Sequence, residues 1–268
     1  MTRVVHQPDR PPHLVWSLTD GGRALSELAW FGSSAAWLAT RPLPGDGRPV
    51  LVLPGFMAGD WSTAPLRRLL TRHGYQAYGW GLGRNEGPTR EVVDGLEALF
   101  RTLTDRHGQP VSLVGQSLGG MFARELARRF PGEVDRIVTL GSPVSMTSAE
   151  QSRAKHTYLR KSRNHVPELA FDTWIHAPQP PVPATSIFSR WDGVCRWETC
   201  LYPQSPLTEN IEVVSSHLGM GVQPPAVYAT LDRLAAPLDP WQRFNPHRSL
   251  RACYPGVSAP VHLATAAT

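Results

Sequence analysis

Lysine is almost missing from this 268-residue chain: of its 27 basic residues only Lys155 and Lys161 are lysines, and the rest are arginines. Against 22 acidic residues they leave a net charge of +5. No dense basic run or aromatic ladder accompanies that excess, so it reads as a solvated face and excludes nucleic acid as the expected partner. Cysteine is equally scarce. Cys195, Cys200 and Cys253 cannot form a disulfide framework, and none has the spacing of a metal-ligand pair, so neither a metal nor a cofactor is expected. Cys195 and Cys200 could bridge if a turn brought them together; two thiols in a reducing cytoplasm are the simpler reading. A membrane-length apolar run is also lacking. Leu25 to Ala39 holds Trp30, Phe31 and Trp37 but is broken by Glu27 and three serines, short of the roughly 18 residues a spanning helix requires. The first residues, with Pro8, Asp9, Arg10, Pro11 and Pro12, do not read as a secretory signal, and a cytoplasmic location is expected.

What the chain does have is enough apolar material for one sizeable core: 41% hydrophobic against 18% charged residues, in a length that suits a single domain over 1–268. From about Leu14 to Thr40, Leu18, Leu25, Leu28, Ala29 and Trp37 recur at near-helical spacing before Pro42, Pro44, Gly45 and Gly47 break the pattern. A stripe of that kind packs on its own domain more often than it meets a membrane surface or an acyl chain, and such packing is the expectation here.

From Pro49, short apolar runs alternate with helical patterns. Val50–Leu53, Tyr75–Trp80, Val111–Val114 and Val134–Leu140 read as strands, and Leu66–His73, Val92–Arg106 and Leu118–Phe130 as helices. This is an α/β chain with a mostly parallel central sheet flanked by helices. Continuous runs such as Val50-Leu51-Val52-Leu53 suit strands buried on both faces. After Gly141-Ser142-Pro143 the rhythm stops, and 144–183, with Asp172, Trp174, Ile175 and four prolines from Pro178 to Pro183, reads as a small cap insertion. Strand patterns resume at Thr185–Phe188 and Ile211–Val214, Pro224–Leu234 closes as a helix, and the Pro- and Arg-rich tail over 237–268 is expected to drape over the surface.

The chemistry centres on Val111 to Gly120, a buried strand running into Gly115-Gln116-Ser117-Leu118-Gly119 and then a helix. A sharp strand-to-helix turn holds a nucleophile in a strained conformation at a helix N-terminus, where free N–H groups favour developing negative charge. A plain turn whose serine is only a cap is the bland alternative.

On these residues the stretch from Pro49 to Ala235 resembles the α/β-hydrolase superfamily, in particular its bacterial lipase and esterase-like members. The resemblance implies Ser117 as nucleophile and an acid and a histidine following it in that order. Asp192, in Ser189-Arg190-Trp191-Asp192-Gly193 just past a strand, fits the family's acid position better than Asp172 or Glu198. His217, after the strand at Ile211–Val214, resembles the family's histidine loop; His156, His165 and His176 precede Asp192, and His247 and His262 fall in the tail. For the oxyanion the resemblance implies the N–H of Leu118 and that of Phe56, in Leu53-Pro54-Gly55-Phe56-Met57, where Pro54 replaces the histidine of many relatives. The loop Trp80-Gly81-Leu82-Gly83-Arg84-Asn85-Glu86-Gly87 lacks the spacing of a nucleotide site, and its residues carry no assignment.

The expected activity is hydrolysis of small-molecule or lipid esters through an acyl-enzyme, without a cofactor. Transfer of the acyl group to another nucleophile, or a non-catalytic binding role on the same scaffold, are the alternatives. No transmembrane segment is expected, peripheral membrane contact stays open, and the oligomeric state is not legible.

Overall fold

A computed structural model describes residues 3–5, 8–169, 178–255 and 261–263. Its centre is a six-stranded, all-parallel sheet made of β2 (Pro49–Leu53), β3 (Gln76–Tyr78), β4 (Val111–Gln116), β5 (Val134–Leu140), β6 (Ala184–Phe188) and β7 (Thr208–Glu212), in the order β3-β2-β4-β5-β6-β7. A separate two-stranded parallel pair joins β1 (Arg3–Val5) to β8 (Val261–Leu263).

The continuous apolar runs mark strands covered on both sides. Alternate residues of β2 go to opposite faces: Leu51 and Leu53 join α3 (Arg90–His107) and α4 (Leu118–Arg129) in one core. Val50 and Val52 join α2 (Asp60–Arg72), the end of α1 (Leu14–Ala39) and α6 (Pro224–Ala235) in the other. Helix α3 shows why the pattern folds this way. The Thr89 hydroxyl accepts from the Val92 N–H at its start, Val92, Val93, Leu96, Phe100 and Leu103 form its buried stripe, and Gly108 at φ 58° ends it.

Strand order reverses where β2 lies between β3 and β4, so the loops that follow β2 and β4 emerge side by side at the sheet's C-terminal edge. In open α/β sheets this is where ligands bind.

Three expectations are corrected. The stripe on α1 does not pack inward: Leu18 and Leu25 are 76% and 70% exposed, and Leu28, Trp30 and Trp37 are exposed too. What α1 buries is Asp20, Glu27, Phe31 and Leu38, because loops at the sheet edge offer its carboxylates unpaired backbone N–H groups. The segment beyond Pro237 does more than drape. Phe244 and Tyr254 are buried beside α6, where the Tyr254 hydroxyl donates to the Pro225 carbonyl at 2.9 Å. Finally, the strand expected over Ile211–Val214 begins earlier, at Thr208, since pairing with β6 starts at Ala184↔Thr208. Between β5 and β6 the described chain forms 3-10 turns and α5 (Lys155–Lys161), whereas Asp172, Trp174, Ile175 and His176 lie outside the described residues.

Candidate active site

Ser117 stands between β4 and α4 with φ 52° and ψ −122°, a backbone conformation that a residue with a side chain rarely adopts. Its N–H donates to the Leu140 carbonyl at 2.8 Å, which pins the turn to β5. The turn closes only because its flanks are small: a Cβ on Gly115 would lie 2.4 Å from the Gly120 nitrogen, and one on Gly119 would lie 2.3 Å from the Leu53 carbonyl oxygen. The hydroxyl is thereby held off the chain at the first turn of α4, partly exposed, at the floor of a pocket.

Asp192 and His217 come from the loops after β6 and β7 and meet at the same edge. Both are buried, and Asp192 Oδ2 lies 2.6 Å from His217 Nδ1. The other carboxylate oxygen accepts the N–H groups of Val194 at 2.8 Å and Cys195 at 2.7 Å, so the acid's orientation is fixed by its own loop. Burial disfavours the charged imidazolium, but the charge of Asp192 and its hydrogen bond, with a further contribution from the charge of Asp20, outweigh burial and raise the His217 pKa above 6.5. The pair is brought against the elbow by Gly141, whose backbone passes so close that a Cβ there would lie 3.1 Å from Asp192 Oδ2 and 3.3 Å from His217 Nδ1. Among the described residues the Ser117 hydroxyl makes no hydrogen bond to His217.

The loop after β2 lies beside the elbow, with a Cβ position on Gly55 3.3 Å from Ser117 Cβ. Neither the Phe56 nor the Leu118 N–H has a protein acceptor among the described residues, so both are free to donate.

The loop left unassigned in the sequence turns out to hold this arrangement in place. Asn85 is fully buried; its amide donates to the Pro54 carbonyl at 2.8 Å and its carbonyl oxygen accepts from Gly87 N–H. Its backbone carbonyl accepts from Met57 N–H at 2.7 Å. Gln116, quoted above only as part of the elbow, acts similarly: its amide donates to the carbonyls of His217 at 3.0 Å and Leu218 at 3.3 Å. The only signals available were an asparagine in a glycine-rich loop and a polar residue next to the nucleophile.

The pocket above Ser117 opens to solvent, spans about 630 Å3 with that open space counted, and is walled chiefly by Phe56, Met121, Pro143, Met146, Tyr158 and Val194. Tyr158 on α5 packs edge-on to Phe56, with centroids 5.5 Å apart. Cys195 borders the pocket; it and Cys200 are buried free thiols, and burial pushes both pKa values up. No group of three or more His, Cys, Asp or Glu among the described residues could hold a metal ion. No described helix is long and apolar enough to cross a membrane.

Residues 48–173 match the family model described as alpha/beta hydrolase fold. No curated protein matches the chain by sequence. Among solved structures it is similar to Aspergillus fumigatus lipase B, with 14% identity over 74% of this chain and 55% of that one, at a TM-score of 0.54. The chain thus spans little more than half the length of that lipase. It is also similar to Paleococcus ferrophilus monoacylglycerol lipase, with 16% identity over 70% of this chain and 96% of that one, at a TM-score of 0.50. At these identities the likenesses are of fold alone.

Proposed function

From an α/β-hydrolase fold as premise, we propose that this chain is a serine hydrolase that cleaves carboxylic esters through an acyl-enzyme. The observation that carries the reading is Ser117 itself, a non-glycine residue at φ 52° between a buried strand and a buried helix, beside a bonded Asp192–His217 pair. In this reading Ser117 Oγ attacks the ester carbonyl while His217 Nε2 takes its proton. Asp192 holds the ring by Nδ1 and stabilises the imidazolium, and the N–H groups of Phe56 and Leu118 receive the oxyanion. His217 then protonates the leaving alcohol, and a water activated by the same ring releases the acid. Nucleophile–base hydrogen bonds are often long in a ligand-free site and tighten when substrate binds, which accords with the open Ser117–His217 contact.

The apolar walls favour a hydrocarbon acyl group over a charged one, and the described part of the expected cap, through Met146 and Tyr158, shapes this pocket. The outward side of α1 extends the reading to lipid. Asp20, Arg23 and Glu27 are that helix's only charged residues and none of them is exposed, so its exposed side carries Leu14, Leu18, Leu25, Leu28, Trp30 and Trp37 without a charge among them. Such a face suits peripheral contact with a membrane surface. Free buried thiols support a reducing, cytoplasmic setting.

Ser117→Ala should fold, lose turnover of p-nitrophenyl esters and lose labelling by a fluorophosphonate. Labelling that survives the substitution sinks the assignment.

A further inference from the structure

Helix α1 brings a second carboxylate to the triad. Asp20 is 3% exposed, and its Oδ1 accepts the backbone N–H groups of Gly193 at 3.1 Å and His217 at 2.9 Å while its Oδ2 accepts that of Leu218 at 3.0 Å. Gly193 directly follows Asp192. A single side chain from a helix far upstream therefore ties the loop of the acid to the loop of the base. The joint leaves no room for a side chain at 193, where a Cβ would lie 2.4 Å from the Trp16 carbonyl oxygen and 2.7 Å from Asp20 Oδ1. Two helical turns on, Glu27 repeats the device, accepting the Ser216 N–H at 2.7 Å and the Ser216 hydroxyl at 2.5 Å.

We propose that Asp20 is a positioning residue of the reaction, setting the placement of His217 against Asp192 and lending a second negative charge to the imidazolium that forms when Ser117 gives up its proton. The role rests on the hydrolase reading above. Three backbone N–H donors on one carboxylate, each making a bond strengthened by its charge, are more than a surface acid finds, and they come from the two loops whose relative placement decides the chemistry. The titratable and charged groups facing His217 are Asp192 from the β6 loop, Asp20 with its partner Arg23 from α1, and Glu27 acting through Ser216. Arg23 donates to Asp20 Oδ1 at 3.2 Å and so tempers its charge. Among these, Asp192 and Asp20 are the two charges that work against burial to favour the protonated ring.

The experiment measures kcat, KM and the pH profile of kcat/KM for p-nitrophenyl acetate, with the concentration of sites fixed by fluorophosphonate titration. Asp20→Asn keeps the side chain's shape, removes its charge and sets an amide N–H against backbone N–H groups. It should lower kcat per titrated site about tenfold or more, leave KM within about threefold, and move the acid limb of kcat/KM down by about half a pH unit or more. Arg23→Gln removes the tempering charge and should move the same limb upward. Opposite shifts are what a charge role requires and what a purely structural role does not produce. An acid limb that stays put in Arg23→Gln, or shifts in the same direction in both variants, overturns the proposal. So does an Asp20→Asn enzyme with lowered Tm but unchanged kcat per site. Where Asp20→Asn does not fold, the limb in Arg23→Gln decides alone. Ser117→Ala, run in parallel, separates the two failures: ester turnover remaining there removes the hydrolase reading, while an inert Ser117→Ala beside unmoved limbs removes only the role of Asp20.

Discussion

At the scale of single residues, the site depends on atoms that cannot be enlarged or unpaired without moving the reaction centre. Gly119 faces the Leu53 and Pro54 carbonyl oxygens, at 2.3 and 2.8 Å from a Cβ it does not have. Both neighbours are backbone, so Gly119→Ala must push the loop of Phe56 away from the elbow, and fluorophosphonate labelling should slow by roughly a hundredfold. Asn85→Ala leaves the Pro54 carbonyl and the Gly87 N–H buried without partners, a loss of about 1–3 kcal/mol for each, so Tm and kcat should fall together. In the proposed reaction His217 must be neutral to accept the serine proton, and its pKa is raised. Activity should therefore fall away as pH drops through a value above 6.5, higher than an ordinary histidine would give. Asp192→Asn removes the larger of the opposing charges and lets burial prevail; the limb should move to lower pH while kcat drops by about four orders of magnitude. Ser117, Asp192 and His217 could be picked out as candidates because each follows its own strand within a few residues, in a short local pattern. Asp20, Glu27 and Asn85 could not. Their partners lie far along the chain, 197 residues away for Asp20 and His217, and nothing local separates a buried acceptor from a solvated one.

Among the elements, sheet strands and helix α1 were unequally readable, and the reason is what each buries. A strand covered on both faces has to be apolar throughout, so Val50 to Leu53 could be recognised without knowing its neighbours. Helix α1 reverses the usual rule, hiding Asp20 and Glu27 and showing leucines, so a reading of its apolar stripe assigned the wrong face to the core. Helix α5 governs a different property. It carries Tyr158 against Phe56, and with Met146 and Val194 it bounds the space above Ser117, where the proposed reading puts the acyl chain. Filling that space from Met146 with Met146→Trp should cut kcat/KM for p-nitrophenyl octanoate at least tenfold while sparing the acetate, since the added ring excludes several methylenes worth about 0.8 kcal/mol each. A chain-length series that falls equally at all lengths would place the acyl group elsewhere.

On the scale of the whole molecule, the net charge of +5 and the uncharged side of α1 act on the same event at different ranges. Dispersed arginines would draw the protein toward an anionic surface over about a Debye length, while contact energy would come from leucine and tryptophan side chains entering the interface. The helix that would lie on the lipid is the one whose opposite side holds the loops of Asp192 and His217, so under the proposed function the edge of the sheet that carries Ser117 would be brought close to the surface that supplies substrate. Vesicles of phosphatidylglycerol and phosphatidylcholine should therefore sediment the protein. Leu18→Ser with Leu25→Ser should weaken that partition at least tenfold, since each leucine loses about 1.5–3 kcal/mol of burial, and turnover of p-nitrophenyl acetate should hold. Raising the salt should weaken binding less than the double substitution does. If the variant binds vesicles as the native chain does, the face is not a lipid contact; if instead it turns a dimer into a monomer by gel filtration, the face belongs to a second copy of the chain.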